Sequence, residues 1–169
     1  MPAHPSPTAP RPALVPGVRC SRQHLNDPRA RFCAFCGVSM AQSSILIVDG
    51  PRPSLGVLVF GDGVSVALDR PVLVGRNAPT DARVRRGEMT ALTLGDLTGH
   101  LSRLHAEVQL VGWDVHLVDR GSTNGTFIYD ERRRSWHRLP SNRAHVLAPG
   151  TSLAFGRYAA VFQSPLRPR

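Results

Sequence analysis

The sequence predicts an all-β sandwich preceded by a small cysteine-rich module. Three observations carry this expectation. About ten short runs of branched and aromatic residues recur between residues 45 and 164, each closed by Gly, Pro, Asp or Asn. No stretch shows the long 3.6-residue apolar periodicity of an amphipathic helix, which leaves sheet packed on sheet. All three cysteines fall between Cys20 and Cys36, ahead of the strand-like region.

Residues 1–18 are rich in Pro and Ala with little to bury, and read as a disordered or polyproline-like leader whose one phosphorylatable threonine is Thr8. The start lacks the apolar core of a secretory signal, and no run approaches the roughly 18 apolar residues that span a membrane. A cytoplasmic location is the expectation.

Residues 19–38 hold Cys20-x3-His24-x8-Cys33-x2-Cys36-Gly37. An odd cysteine count in a cytosolic chain argues against a disulfide framework. Three thiolates and one imidazole complete a tetrahedral zinc site, with Cys20, His24, Cys33 and Cys36 as ligands. Four protein ligands leave no open position for a substrate, so the Zn2+ is expected to be structural. A redox pair at Cys33 and Cys36, or a catalytic metal, are the functional alternatives. So short a segment has almost no core without its ion. Cys33-Ala34-Phe35-Cys36-Gly37 resembles a zinc knuckle, and the whole segment resembles small bacterial zinc ribbons, with His24 where a second Cys is commoner.

Small polar residues at 39–44 make a linker, and residues 45–164 make the sandwich. Its expected strands are Ile45–Val48, Gly56–Phe60, Val64–Leu68, Val72–Val74, Ala106–Val111, Val115–Val118, Thr126–Tyr129, Trp136–Leu139, Ala144–Leu147, Ser152–Phe155 and Tyr158–Gln163. Gly61-Asp62-Gly63 signals a hairpin turn. Residues 165–169 form a short basic tail.

The formal charge of +9 is spread out. Residues 1–43 carry five Arg and one acid, residues 44–164 carry 14 Arg and 11 acids, and Lys is absent. Dedicated nucleic-acid binders cluster their charge on one face, so nucleic acid is not the expected partner.

Two stretches carry the chemistry: Ser102-Arg103-Leu104-His105 and Asp119-Arg120-Gly121-Ser122-Thr123-Asn124-Gly125-Thr126. The hairpin between them brings its two ends side by side. Upstream, Pro71-Val72-Leu73-Val74 runs into Gly75-Arg76. Guanidinium, hydroxyls and a carboxamide on loops held by a rigid sheet make an anion-recognition set with a peptide-binding amide beside it.

Gly75-Arg76, Ser102-x-x-His105 and Ser122-Thr123-Asn124-Gly125-Thr126, in that order and each after a strand-like run, resemble the three-part signature of the forkhead-associated (FHA) domain, a reader of phosphothreonine peptides. The resemblance covers about residues 44–164. It implies a sandwich of two antiparallel sheets with recognition loops at one end. It further implies that Arg76 and Ser102 bind phosphate, Arg103 assists, Thr123 lines the phosphate and methyl side, and Asn124 holds the peptide main chain. His105 would support the loop that presents Ser102. Gly75, Gly121 and Gly125 read most simply as turn glycines with positive φ. The 25 residues from Asn77 to Leu101 exceed the usual spacing in the family. Thr90 to Leu94 could add a strand, and the insertion either shapes the rim of the site or is a passive loop.

The resulting expectation is a non-enzymatic, phosphothreonine-dependent adaptor in bacterial Ser/Thr-kinase signalling, its partner a kinase or a kinase substrate. The alternative is a zinc-ribbon scaffold that docks nucleic acid or protein, with a non-functional phosphate site. A hydrolase using Ser102, His105 and Asp119 is a third class, although no G-x-S-x-G elbow is present.

Overall fold

The computed structural model describes residues 12–41, 46–95 and 99–165. Thr8, most of the expected leader, part of the linker and the end of the basic tail lie outside the described residues. The strands are β1 (Leu14–Arg19), β2 (Leu25–Asn26), β3 (Val48–Pro51), β4 (Val57–Phe60), β5 (Ser65–Ala67), β6 (Val72–Val74) and β7 (Thr90–Leu92). They continue with β8 (Ala106–Val111), β9 (Asp114–Asp119), β10 (Thr126–Asp130), β11 (Ser135–Arg138), β12 (Ala144–Leu147), β13 (Ser152–Phe155) and β14 (Tyr158–Gln163). A 3-10 turn at Ala78–Thr80 and one short helix, α1 (Ala82–Arg85), lie between β6 and β7.

A six-stranded sheet in the order β11-β10-β13-β14-β4-β5 packs on a five-stranded sheet in the order β12-β9-β8-β6-β7. Leu58, Phe60, Leu153, Phe155 and Phe162 from the first meet Val72, Val74, Val108, Val115 and Leu117 from the second in one core. Each such side chain contributes on the order of 1.5–3 kcal/mol when fully buried. Phe155 stacks on Phe60 and meets the His105 ring edge-on, which ties the centre of the core to a recognition loop. All pairings in the two sheets are antiparallel except β6 with β7, which run parallel in the register Val72 to Thr90. This edge strand forms from the Thr90–Leu94 segment, so part of the insertion belongs to the sheet.

The N-terminal region departs from its expected boundaries. Residues 14–18 were expected to be unstructured, yet β1 pairs antiparallel with β3 and with β2. The Pro-rich composition conceals a two-residue alternation in which Val15 and Gly17 are buried between exposed Leu14 and Pro16. A Cβ on Gly17 would lie 2.8 Å from the Asn26 carbonyl, so β1 and β2 need glycine there. The strand expected at Ile45–Val48 instead begins at Val48, because β1 sets its register through Gly17 opposite Val48 and Leu14 opposite Pro51. Val15 and Leu25 join the main core, and the buried Trp113 in the β8–β9 turn donates its indole N–H to the Pro16 carbonyl at 2.7 Å. Arg29 bridges Asp27 and Asp114, adding an ionic tie to the same turn.

Candidate functional site

The β8–β9 hairpin begins and ends with Ala106 opposite Asp119, so the loops before β8 and after β9 emerge together. The β6 strand pairs with β8 in the register Val74 to Ala106, which brings Gly75 and Arg76 to the same edge. Backbone bonds fix the join: the Arg76 amide donates to the Ser102 carbonyl at 3.2 Å and the Asn77 amide to the Arg103 carbonyl at 3.0 Å. Gly75 is required by this approach and not by a positive φ, since a Cβ there would stand 2.3 Å from the Arg103 carbonyl oxygen. Gly121 and Gly125 do take positive φ, at 75° and 82°.

Arg76, Ser102, Arg103 and Thr123 line one open basin together with Asn77, Thr80, Asp81, Leu104 and Gly121. The guanidinium groups of Arg76 and Arg103 form no ion pair among the described residues, so two uncompensated cations face this basin. The Ser102 hydroxyl accepts from the Thr123 amide at 3.0 Å, which fastens the two loops. Asn124 lies outside the lining of the basin and donates its carboxamide N–H to the His100 carbonyl at 2.8 Å.

His105 is fully buried. Its Nδ1 accepts from the Ser102 amide at 3.2 Å, so the ring carries its proton on Nε2, which donates to the Gly125 carbonyl at 3.0 Å. Burial pushes the imidazole below its ordinary value despite the bond to Gly125. One neutral ring thus joins both recognition loops. Asp119 is a second hub, to which the sequence assigned a role only in the hydrolase alternative. Its carboxylate accepts from the Ser122 hydroxyl at 2.5 Å, Thr126 at 2.7 Å and Ser141 at 2.9 Å, and from the Gly121 and Ser122 amides. Burial raises this carboxyl, but those donors outweigh it and hold it below the usual range. The signal was present in Asp119-x-Gly121-Ser122, an Asx-turn pattern. Arg138, from β11, donates to the Ser122 carbonyl and escaped the sequence reading.

This geometry bears on the hydrolase alternative. Both His105 nitrogens engage the backbone, and the bonds of the Asp119 carboxylate run to Ser122, Thr126 and Ser141, so Ser102, His105 and Asp119 are not joined as nucleophile, base and orienter.

The cysteine-rich module forms a separate cluster. Ligand atoms of Cys20, His24, Cys33 and Cys36 lie within 4.8 Å of one another. Cys20 Sγ and Cys33 Sγ each stand 3.6 Å from His24 Nδ1, and Cys20 Sγ stands 3.9 Å from Cys36 Sγ. A tetrahedral ion with metal–sulfur bonds of about 2.3 Å has edges of about 3.8 Å, so these separations fit one. The Phe35 amide points at Cys33 Sγ from 3.4 Å. Burial raises the Cys33 thiol, but amide donors from Phe35 and Cys36 outweigh it and bring it to about 6. Buried Asn26, a residue that the sequence reading passed over, donates to the His24 carbonyl and accepts from the Ala34 amide, bracing the two ligand loops.

The family model for the FHA domain matches residues 72–156. The glycogen accumulation regulator GarA of Mycolicibacterium smegmatis is 34% identical over 101 residues, covering 59% of this chain and 51% of GarA. The chain therefore spans about half the length of this curated relative. Among solved structures, the FHA domain of human APLF, in complex with an XRCC1 bisphospho peptide, is 24% identical with a TM-score of 0.50 over 64% of this chain and 98% of that one. The FHA domain of CT664 from Chlamydia trachomatis is 19% identical with a TM-score of 0.47 over 64% of this chain and 95% of that one. With half of its length matched by the family model, including every one of the three motif blocks, this chain belongs to the FHA-domain family.

Proposed function

We propose that this chain is a phosphothreonine-dependent peptide-binding adaptor in Ser/Thr-kinase signalling, its partner a phosphorylated kinase or kinase substrate. The observation that carries the reading is the pair of uncompensated guanidinium groups, Arg76 and Arg103, facing one basin beside Ser102 and Thr123. A phosphothreonine brings close to two negative charges and three acceptor oxygens, and a planar guanidinium can hold two of those oxygens at once. Asn124 sits at the edge, where its carboxamide oxygen can accept from a peptide amide while its N–H remains on His100. Membership of the FHA-domain family supports the same reading, and the APLF FHA domain is itself in complex with a bisphospho peptide.

Binding without catalysis is the activity proposed. No described helix is long and apolar enough to cross a membrane. The reading places the chain in the cytoplasm, where three thiols persist reduced. Zn2+ held by Cys20, His24, Cys33 and Cys36 would then be a structural ion that supports the N-terminal module, on the strength of the separations between those ligand atoms.

Calorimetric titration with degenerate phosphothreonine, phosphoserine and unphosphorylated peptide pools tests the central claim. Wild-type protein is expected to bind the phosphothreonine pool, and Arg76→Ala and Ser102→Ala each to weaken it by at least about tenfold. Wild-type affinity in both variants would show the site assignment to be wrong.

A further inference from the structure

The segment between Arg76 and Thr90 is not a passive loop. It folds as the 3-10 turn and α1, and it forms one side of the basin. Ala78 and Met89 pack against Leu73 on the outer face of β6, making a small satellite core. Below α1, the Arg83 guanidinium donates to Glu107 at 2.7 Å. Glu107 is a carboxylate on β8 with 2% exposure, and this contact is the shortest of those that compensate its buried charge, beside Gln109 at 3.1 Å and Arg120 at 3.8 Å. A segment held by its own core and a buried ion pair presents its remaining polar groups in fixed positions.

Those groups are Asn77, Thr80 and Asp81. Asp81 caps α1 by accepting from the Arg83 amide at 2.8 Å through Oδ1. Its Oδ2 has one long contact, 3.4 Å from Arg83 Nη2. Arg83 Nε also stands 3.3 Å from Asp81 Oδ1, so the two form an ion pair, but the short bond of this guanidinium runs to Glu107. One cation is thus shared between two carboxylates, and Asp81 keeps part of its charge. The basin therefore has two cations, Arg76 and Arg103, and a carboxylate on the inserted side. Such a surface is matched by a ligand that carries a phosphate and a cation together.

We propose that this inserted wall is a second recognition subsite, in which the Asp81 carboxylate, flanked by Asn77 and Thr80, takes a Lys or Arg side chain close to the phosphothreonine of the partner peptide. The proposal rests on the phosphothreonine reading above. The same carboxylate disfavours Asp or Glu at that peptide position by like-charge repulsion.

The test is an oriented phosphothreonine peptide library, with an unphosphorylated counterpart, probed with the full chain as wild type, Asp81→Asn and Asp81→Ser. Both replacements keep a residue that caps a helix well, so α1 is retained. Wild type is expected to favour Lys or Arg over Ala about fivefold at one flanking position. That ratio is expected to fall to about one in both variants. Wild-type binding that ignores phosphorylation would overturn the phosphothreonine reading and the subsite with it. Phosphorylation-dependent binding with no basic preference, or a preference undiminished in both variants, would overturn the subsite alone.

Discussion

At the scale of single residues, the site depends on His105 being neutral. Its Nδ1 must stay unprotonated to accept from the Ser102 amide, and burial favours that state. The unfolded imidazole titrates near 6.5, and the folded value lies lower. Stability from this group is therefore complete above about pH 6.5 and is lost as pH falls through the folded-state value. His145 is shifted in the same direction by burial, so a melting curve would mix the two. Nitrogen chemical shifts of the His105 ring separate them, and the expected spectrum at about pH 7 is that of a neutral ring with its proton on Nε2, with a titration midpoint below 6.5. A midpoint at or above 6.5 would contradict the bonding to Ser102 and Gly125. The S-x-x-H spacing pointed to His105 as a loop support, but the sequence held no sign of which nitrogen meets which loop. Gly75 shows the same limit: a glycine before Arg76 was plain, while its cause is a carbonyl from residue 103, and contacts across 28 positions leave no local pattern.

At the scale of elements, strands from β4 to β14 were legible because alternation and turn residues mark them locally. Boundaries were offset by a residue or two, and β7 was foreseen as an additional strand without its parallel direction. Elements that owe their place to remote partners were the ones misread. β1 looked like a leader because Pro and Ala dominate it, and β3 moved along the chain because β1 registers it. α1 is four residues long and has no apolar face of its own to announce it. The β8–β9 hairpin then connects the two ends of the molecule. Its strands span about 17 Å, with the basin loops at one end and Trp113 at the other. Trp113→Phe removes the bond to the Pro16 carbonyl and part of a buried ring. The expected cost is about 1–3 kcal/mol in denaturant unfolding, with phosphopeptide affinity unchanged within about twofold. Unchanged stability, or a collapse of affinity in the folded variant, would show that the turn and the basin are related differently.

For the molecule as a whole, the strands around the cysteine-rich module form their own three-stranded sheet, β2-β1-β3, which packs against the sandwich core. Within the module, Arg29 is engaged with Asp27 and Asp114, and its pairing with Asp27 raises its pKa. Its charge therefore fastens the module to the β8–β9 turn. Val15, Leu25 and the Trp113–Pro16 bond make the same junction, so order in the module and stability of the sandwich are coupled. The module has little core of its own, and its ligand loops are held in place by Asn26 and, on the reading above, by an ion. Purified protein is then expected to carry about one zinc per chain. A strong chelator should raise hydrogen exchange at the β1 and β2 amides first and lower the unfolding midpoint, while β8 and β9 amides stay protected at low temperature. Phosphopeptide binding should persist at that temperature, because the basin lies at the far end of the hairpin. Cys33→Ser is expected to reproduce the exchange pattern without a chelator. Protein that purifies without metal, with β1 as protected as β8, would show that packing against Trp113 alone orders the module and that the four ligand side chains meet without an ion.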